Sequence, residues 1–201
     1  MFATALFGGS FDPVHLGHLH LIHTVYNNTR YKKFILVPVA INNFKRDTTP
    51  THSKDRLEMV RIATTEYMKI YPEDWDILFV IEDCEIRRGG VSYTYDTVET
   101  IYQKYEYDGK LGLVMGDDLI PSLKRWYRFK DLIKKVDLVV CRREENEVDL
   151  PEGIDFEYVS NEIMVDASST IRILANANKD FSTLLSKGVY EYVKKNRLYH
   201  A

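Results

Sequence analysis

Near its start the chain carries an apolar run, Phe2 to Phe7, interrupted by Thr4 alone and closed by the pair Gly8-Gly9. A run this short, ended by glycines, predicts a buried strand rather than a helix. The chain then turns through Ser10-Phe11-Asp12-Pro13. It resumes as His15-Leu-Gly-His-Leu-His-Leu-Ile-His-Thr-Val-Tyr26, where Leu16, Leu19, Ile22 and Tyr26 recur at helical spacing. Strand, glycine turn and helix start together make a phosphate site. Glycines let a ligand approach the backbone, and the helix start offers free N–H groups and a positive dipole end. His15 and His18, three residues apart on the first helical turn, share a face. The spacing fits neither G-x-G-x-x-G nor G-x-x-x-x-G-K-[ST], which sets aside the common dinucleotide and P-loop patterns.

Two other readings compete for this stretch. The histidines could be plain polar surface, but glycines, proline and both histidines fall in one register. Zinc would want three or four ligands, and no cysteine or acidic partner stands at ligand spacing nearby.

Further apolar runs follow: Phe34 to Pro38, Ile77 to Ile81, Leu111 to Met115 and Leu138 to Cys141, with Phe156–Val159 or Ile163–Val165 offering a sixth strand. Helical stretches alternate with them. One is capped by Ser53 or Asp55 and carries Leu57, Met59, Val60 and Ile62. Others run from Tyr93 to about Tyr105, Phe129 to Lys135, Ser168 to about Ala177 and Val189 to Arg197, while Glu82 to Gly90 reads as a polar break. Strands alternating with helices predict an α/β fold, a Rossmann-like doubly wound parallel sheet of five to six strands with helices on both faces. Right-handed crossovers gather the loops that follow the strands along one edge, where ligands bind at the switch point. Gly8 to His18, Lys45 in the long loop after the second strand, and Gly116 to Asp118 all fall on that edge.

The 201 residues suit one domain, 1–201, with a helical part from about 168. A net charge of −3 gives no general reason to expect nucleic acid or an anionic membrane as partner, so any anion site is local. No apolar stretch reaches the roughly 20 residues of a membrane span. Two cysteines far apart, Cys84 and Cys141, make no disulfide framework, and a cytoplasmic location is expected.

Gly8-Gly-Ser-Phe-Asp-Pro-Val-His-Leu-Gly-His18 resembles the HxGH nucleotidyltransferases, with Ser10 where Thr is commoner. Within that superfamily Ser92-Tyr-Thr-Tyr-Asp-Thr-Val98 is similar to the SYTxDT[LV] segment of bacterial nicotinate-nucleotide adenylyltransferases. Gly116-Asp-Asp118 followed by Trp126-Tyr127 is similar to their GxD…WY pattern, and Ala167-Ser-Ser-Thr-Ile-Arg172 to their SSTxIR box, with Ala167 for the first Ser. Asn42-Asn43-Phe44-Lys45 departs from the family by placing Asn43 where Pro is usual.

The resemblance implies transfer of AMP from ATP to nicotinate mononucleotide, making the dinucleotide and pyrophosphate without a covalent intermediate. It implies His15, His18, Lys45 and Arg172 as catalytic residues. Gly8, Gly9, Ser10, Phe11, Ser168 and Ser169 join these four in binding ATP phosphates. Asp118 would contact a nucleotide ribose, Trp126 would stack on the pyridine ring, and Thr94 with the Tyr127 N–H would bind its carboxylate. Mg²⁺ is expected on the ATP phosphates, with no dedicated protein metal site. A homo-oligomer is compatible with the sequence. The runners-up are an adenylyltransferase acting on nicotinamide mononucleotide or on both rings, and a nucleotide-binding module without turnover.

Overall fold

The computed structural model describes residues 2–42, 50–142, 152–160 and 168–200. In chain order the elements are β1 (Thr4–Gly9), α1 (Leu16–Asn28), β2 (Lys33–Pro38), β3 (Ile41–Asn42), α2 (Ser53–Ile70), β4 (Leu78–Ile81), α3 (Cys84–Arg88) and β5 (Val91–Ser92). They continue as α4 (Thr94–Lys104), β6 (Leu111–Gly116), α5 (Ile120–Leu123), α6 (Phe129–Lys135), β7 (Val136–Cys141), β8 (Phe156–Val159), α7 (Ser168–Asn176) and α8 (Lys187–Lys195). Six strands form one parallel sheet in the order β4-β2-β1-β6-β7-β8, and β3 pairs with β5 in a separate two-stranded ribbon. Winding runs outward from β1 through β2 to β4, returns to β6 and leaves through β7 to β8. That is the doubly wound order, with its switch point between β1 and β6.

The pleat sorts the core into two layers. Ala5 and Phe7 of β1, with Phe34 and Leu36 of β2, face a cluster built with α1, α2, α7 and α8. Leu6, Ile35 and Val37 face the other cluster, built with α4, α5 and α6. Strands buried on both faces read as unbroken apolar runs, which is why β1, β2, β6 and β7 stand out in the sequence.

Three expectations need correction. β4 is not a buried strand: it forms an edge of the sheet, and Leu78 is 43% exposed. The polar stretch after it contains α3, five residues too short to register as a periodic pattern. α2 is capped neither by Ser53 nor by Asp55 but by His52, whose side chain accepts from the Lys54 N–H at 3.2 Å. Of the two candidates for a sixth strand, Phe156–Val159 pairs with β7, while Ile163–Val165 lies outside the described residues. No described helix is long and apolar enough to cross a membrane.

Candidate active site

β1 delivers Gly8 and Gly9 to the sheet edge at the switch point, and the chain turns back sharply into α1. Phe11 takes a positive φ of 47°, and its buried ring folds under the turn. A Cβ on Gly9 would lie 3.0 Å from that ring, a contact tight enough that the ring would have to give way. Phe11 packs edge-on against Phe7, with ring centroids 5.7 Å apart, and against His18 at 5.0 Å. A cis peptide joins Asp12 to Pro13.

His15 is the N-cap of α1 and is buried. Its backbone N–H donates to Nδ1 of His18 at 3.2 Å, the contact that Glu or Gln makes in an ordinary capping box. The two imidazoles lie 3.8 Å apart between centroids. Because Nδ1 of His18 is an acceptor here, the neutral ring carries its proton on Nε2. That bond thus fixes the neutral tautomer of His18, with its N–H at Nε2.

The turn is gripped from distant parts of the chain. Arg56 of α2, 1% exposed, donates through Nη1 to the Ser10 carbonyl at 2.8 Å and through Nε to the Thr51 carbonyl at 3.0 Å. Burial pulls the Arg56 guanidinium below its ordinary range, and the nearby Asp12 charge opposes that. Ser168 donates to the Pro13 carbonyl at 3.0 Å, and Arg172 Nη1 to the Asp12 carbonyl at 2.7 Å. The Asp12 carboxylate accepts from the Tyr199 hydroxyl at 2.8 Å and from the Thr51 N–H at 3.1 Å.

Across the switch point, β6 ends in a 3₁₀ turn holding buried Asp117 and exposed Asp118. The Tyr158 hydroxyl donates to Asp117 at 3.3 Å. Trp126 donates through Nε1 to Ser122 at 3.2 Å. Tyr127 lies against Tyr93 and Tyr95 at 4.9 and 6.3 Å between centroids, so the Trp126-Tyr127 pair sits beside Thr94 at the start of α4. That helix start is tied to α3 by the Thr97 hydroxyl, which donates to the buried Glu85 carboxylate. Burial pushes the Glu85 acid upward, opposed by the hydroxyls it accepts from.

The expected site residues therefore fall into two groups. His15, His18, Ser168 and Arg172 converge on the turn, and Ser169 follows on α7; Thr94, Trp126 and Tyr127 gather across β6. Lys45 and Ala167 lie outside the described residues. Reading the sequence missed Asp12, Arg56 and Tyr199 as scaffold. One signal was present: Arg56 occupies a place in the buried stripe of α2 with Met59, Val60, Ala63 and Tyr67. Among the described residues, His23, Glu73 and Asp74 have metal-ligand spacing. They sit towards the far end of α1 and before β4, away from the turn. Asp74 is already engaged there by Tyr67, Asn27 and His23.

Residues 6–175 match the cytidylyltransferase-like family model. The probable nicotinate-nucleotide adenylyltransferase of Treponema pallidum is 35% identical over 98% of both chains, and that of Borreliella afzelii 33% identical over 97% of this chain and 95% of its own. The chain belongs to the nicotinate-nucleotide adenylyltransferase family. Nicotinic acid mononucleotide adenylyltransferase of Plasmodium falciparum, solved with NaAD, superposes with a TM-score of 0.79 over 99% of this chain and 98% of that one, at 20% identity. The same protein solved with APC gives 0.76 at 18% identity, again over 99% and 98%. At those identities the likeness establishes the fold. The family's doubly wound architecture is the one described above.

Proposed function

We propose that this chain transfers AMP from ATP to the 5′-phosphate of nicotinate mononucleotide, releasing pyrophosphate and giving nicotinate adenine dinucleotide for NAD biosynthesis. The observation that carries the reading is a phosphate turn with two capping histidines at the switch point, in a chain that also holds an aromatic cluster beside the start of α4. A phosphate monoester has its second pKa near 6, so the nucleophile is already largely ionised at neutral pH. No general base or covalent intermediate is needed; alignment and charge neutralisation suffice.

In this reading the N-terminal N–H groups of α1, with His15 and the Nε2–H of His18, hold the α-phosphate region, where negative charge shifts during transfer. Gly8, Gly9, Ser10 and Phe11 give the nucleotide access to the backbone. Lys45, Ser168, Ser169 and Arg172 grip the remaining phosphates. Ser168 spends its one O–H on the Pro13 carbonyl, so it would meet a phosphate through its backbone N–H at the start of α7. Arg172, bonded to the Asp12 carbonyl by Nη1, keeps further N–H groups that would couple turn geometry to phosphate binding. Asp118 contacts a ribose, Trp126 stacks on the pyridine ring, and Thr94 with the Tyr127 N–H receives its carboxylate.

Magnesium fits this site as an ion carried by the phosphates. Asp12, the carboxylate of the turn, commits one oxygen to Tyr199 and the other to Thr51. Bound together with ATP, the ion would supply neutralising charge for the leaving pyrophosphate. A cytoplasmic setting accords with two buried, free thiols.

The test is pyrophosphate release on mixing the protein with ATP, Mg²⁺ and a panel of mononucleotides. Release with nicotinate mononucleotide is expected. Turnover with nicotinamide mononucleotide instead, or with no mononucleotide at all, overturns the reading.

A further inference from the structure

Tyr199 lies 187 residues from Asp12, yet its hydroxyl closes on Oδ1 of that carboxylate at 2.8 Å. The path that brings it there is built into the end of α8. The Arg197 N–H bonds to the Lys194 carbonyl at 3.2 Å and the Leu198 N–H to the Val193 carbonyl at 3.0 Å, a reversal that turns the chain back over the helix. Arg197 and Tyr199 both take positive φ, 49° and 67°. Residues with a β-carbon hold such angles only where their surroundings impose them. Leu198 and Tyr199 pack against the core layer of α1 and α2, and the phenol oxygen lies 4.0 Å from Met59 Sδ.

Asp12 is the hub of the phosphate turn. Oδ2 accepts from the Thr51 N–H, and the backbone carbonyl accepts from Arg172. The next residue back, Phe11, carries the ring that touches His18. A path of direct contacts thus runs from Tyr199 through Asp12 and Phe11 to His18. Burial, reinforced by the Asp12 charge, pushes the Tyr199 phenol above the ordinary tyrosine range, so it stays a donor under all working conditions.

We propose that Tyr199 is a positioning residue for adenylyl transfer: by holding Asp12 it fixes the turn that aims His18 and the α1 N–H groups at the α-phosphate. The inference rests on the adenylyl-transfer reading. It assigns part of the active-site scaffold to a residue beyond the last helix.

The test is steady-state kinetics of Tyr199→Phe with ATP and nicotinate mononucleotide, after circular dichroism and melting have established folding. Removing only the oxygen should lower kcat about tenfold, since loosened alignment costs rate. KM for the mononucleotide should move less than about twofold, because Thr94, Trp126 and Tyr127 stand on other elements. Tyr192→Phe is the control. It removes a similar bond, Tyr192 hydroxyl to Asp55 at 2.8 Å, between α8 and α2, and kcat should hold. On an Asp12→Asn background the Tyr199→Phe change should cost little more, since the two act as one unit. Should Tyr199→Phe fail to fold, the Asp12→Asn single variant carries the test through its own loss of kcat. An unchanged kcat in Tyr199→Phe or Asp12→Asn, an equal loss in Tyr192→Phe, or losses that multiply in the double variant would overturn the proposal. A wild-type protein that releases no pyrophosphate fails differently, by removing the reaction itself.

Discussion

His18 does two jobs with one ring. Nδ1 satisfies an orphan N–H at the helix start, and that bond leaves the proton on Nε2, where the ligand lies in the proposed mechanism. An asparagine could cap the helix but would not carry a donor as far. His18→Ala should therefore lose more activity than stability: kcat should fall by about a hundredfold or more, the usual scale for removing one transition-state donor. Loss of the cap should cost about 1 kcal/mol, leaving a folded protein. Paired rate measurements and urea melts on the one variant check both, and near-normal kcat would remove His18 from the mechanism.

At the scale of elements, α2 presents the cost of building the turn. A guanidinium in the buried stripe of a helix is tolerable because two carbonyls receive it, those of Ser10 and Thr51. Arg56→Ala leaves both unpaired beside a cavity, and should destabilise by about 3 kcal/mol or more, with activity lost at temperatures where the chain stays folded. Urea unfolding measures it; a loss below about 1 kcal/mol would show the turn to be held by Ser168, Arg172 and Tyr199 alone. α4 carries a second expectation. Thr94 opens a helix whose free N–H groups and dipole favour an anion, and a carboxylate can accept there with both oxygens, whereas an amide turns its NH₂ against a donor. Nicotinate mononucleotide should be preferred over the amide by about a hundredfold in kcat/KM. Trp126→Ala should weaken both substrates alike, and changes at Thr94 should narrow the ratio. Equal kcat/KM for the two rings would assign the chain to the dual-specificity kind. These two elements also mark what was legible beforehand. β1, the turn and α1 could be read because a buried strand and an amphipathic helix each leave a period, and α4 because its motif sits at a helix start. Arg56, Asp12 and Tyr199 could not, since their roles come from contacts 39 to 187 residues apart that no local pattern encodes.

For the molecule as a whole, the two cysteines serve as internal reporters. Both are buried and free, Cys84 beside α4 and Cys141 at the end of β7. Burial pushes their thiols up to about 11 and about 12, from an ordinary 9.0. Native protein at pH 8 should resist alkylation, and both labels should appear together as denaturant unfolds the sheet. Mass spectrometry across a urea series tests this, and a label gained well before the transition would reveal local opening. These thiols stay protonated in the fold while those of the unfolded chain ionise near pH 9, so their contribution to stability is complete below pH 9. It is lost as pH rises from there towards 11 and 12. The long reach of the turn's bonds has a further consequence, for a chain made on a ribosome. Synthesis runs from the N-terminus, so Gly8 to His18 leave the exit tunnel first. Ser168, Arg172 and Tyr199 bond to that segment across 155, 160 and 187 residues. The first part of the site to be made is the last to be finished, and a half-translated chain holds the histidines without the grip that aims them. Activity should therefore arrive abruptly, when the final helices reach the sheet, rather than growing with chain length.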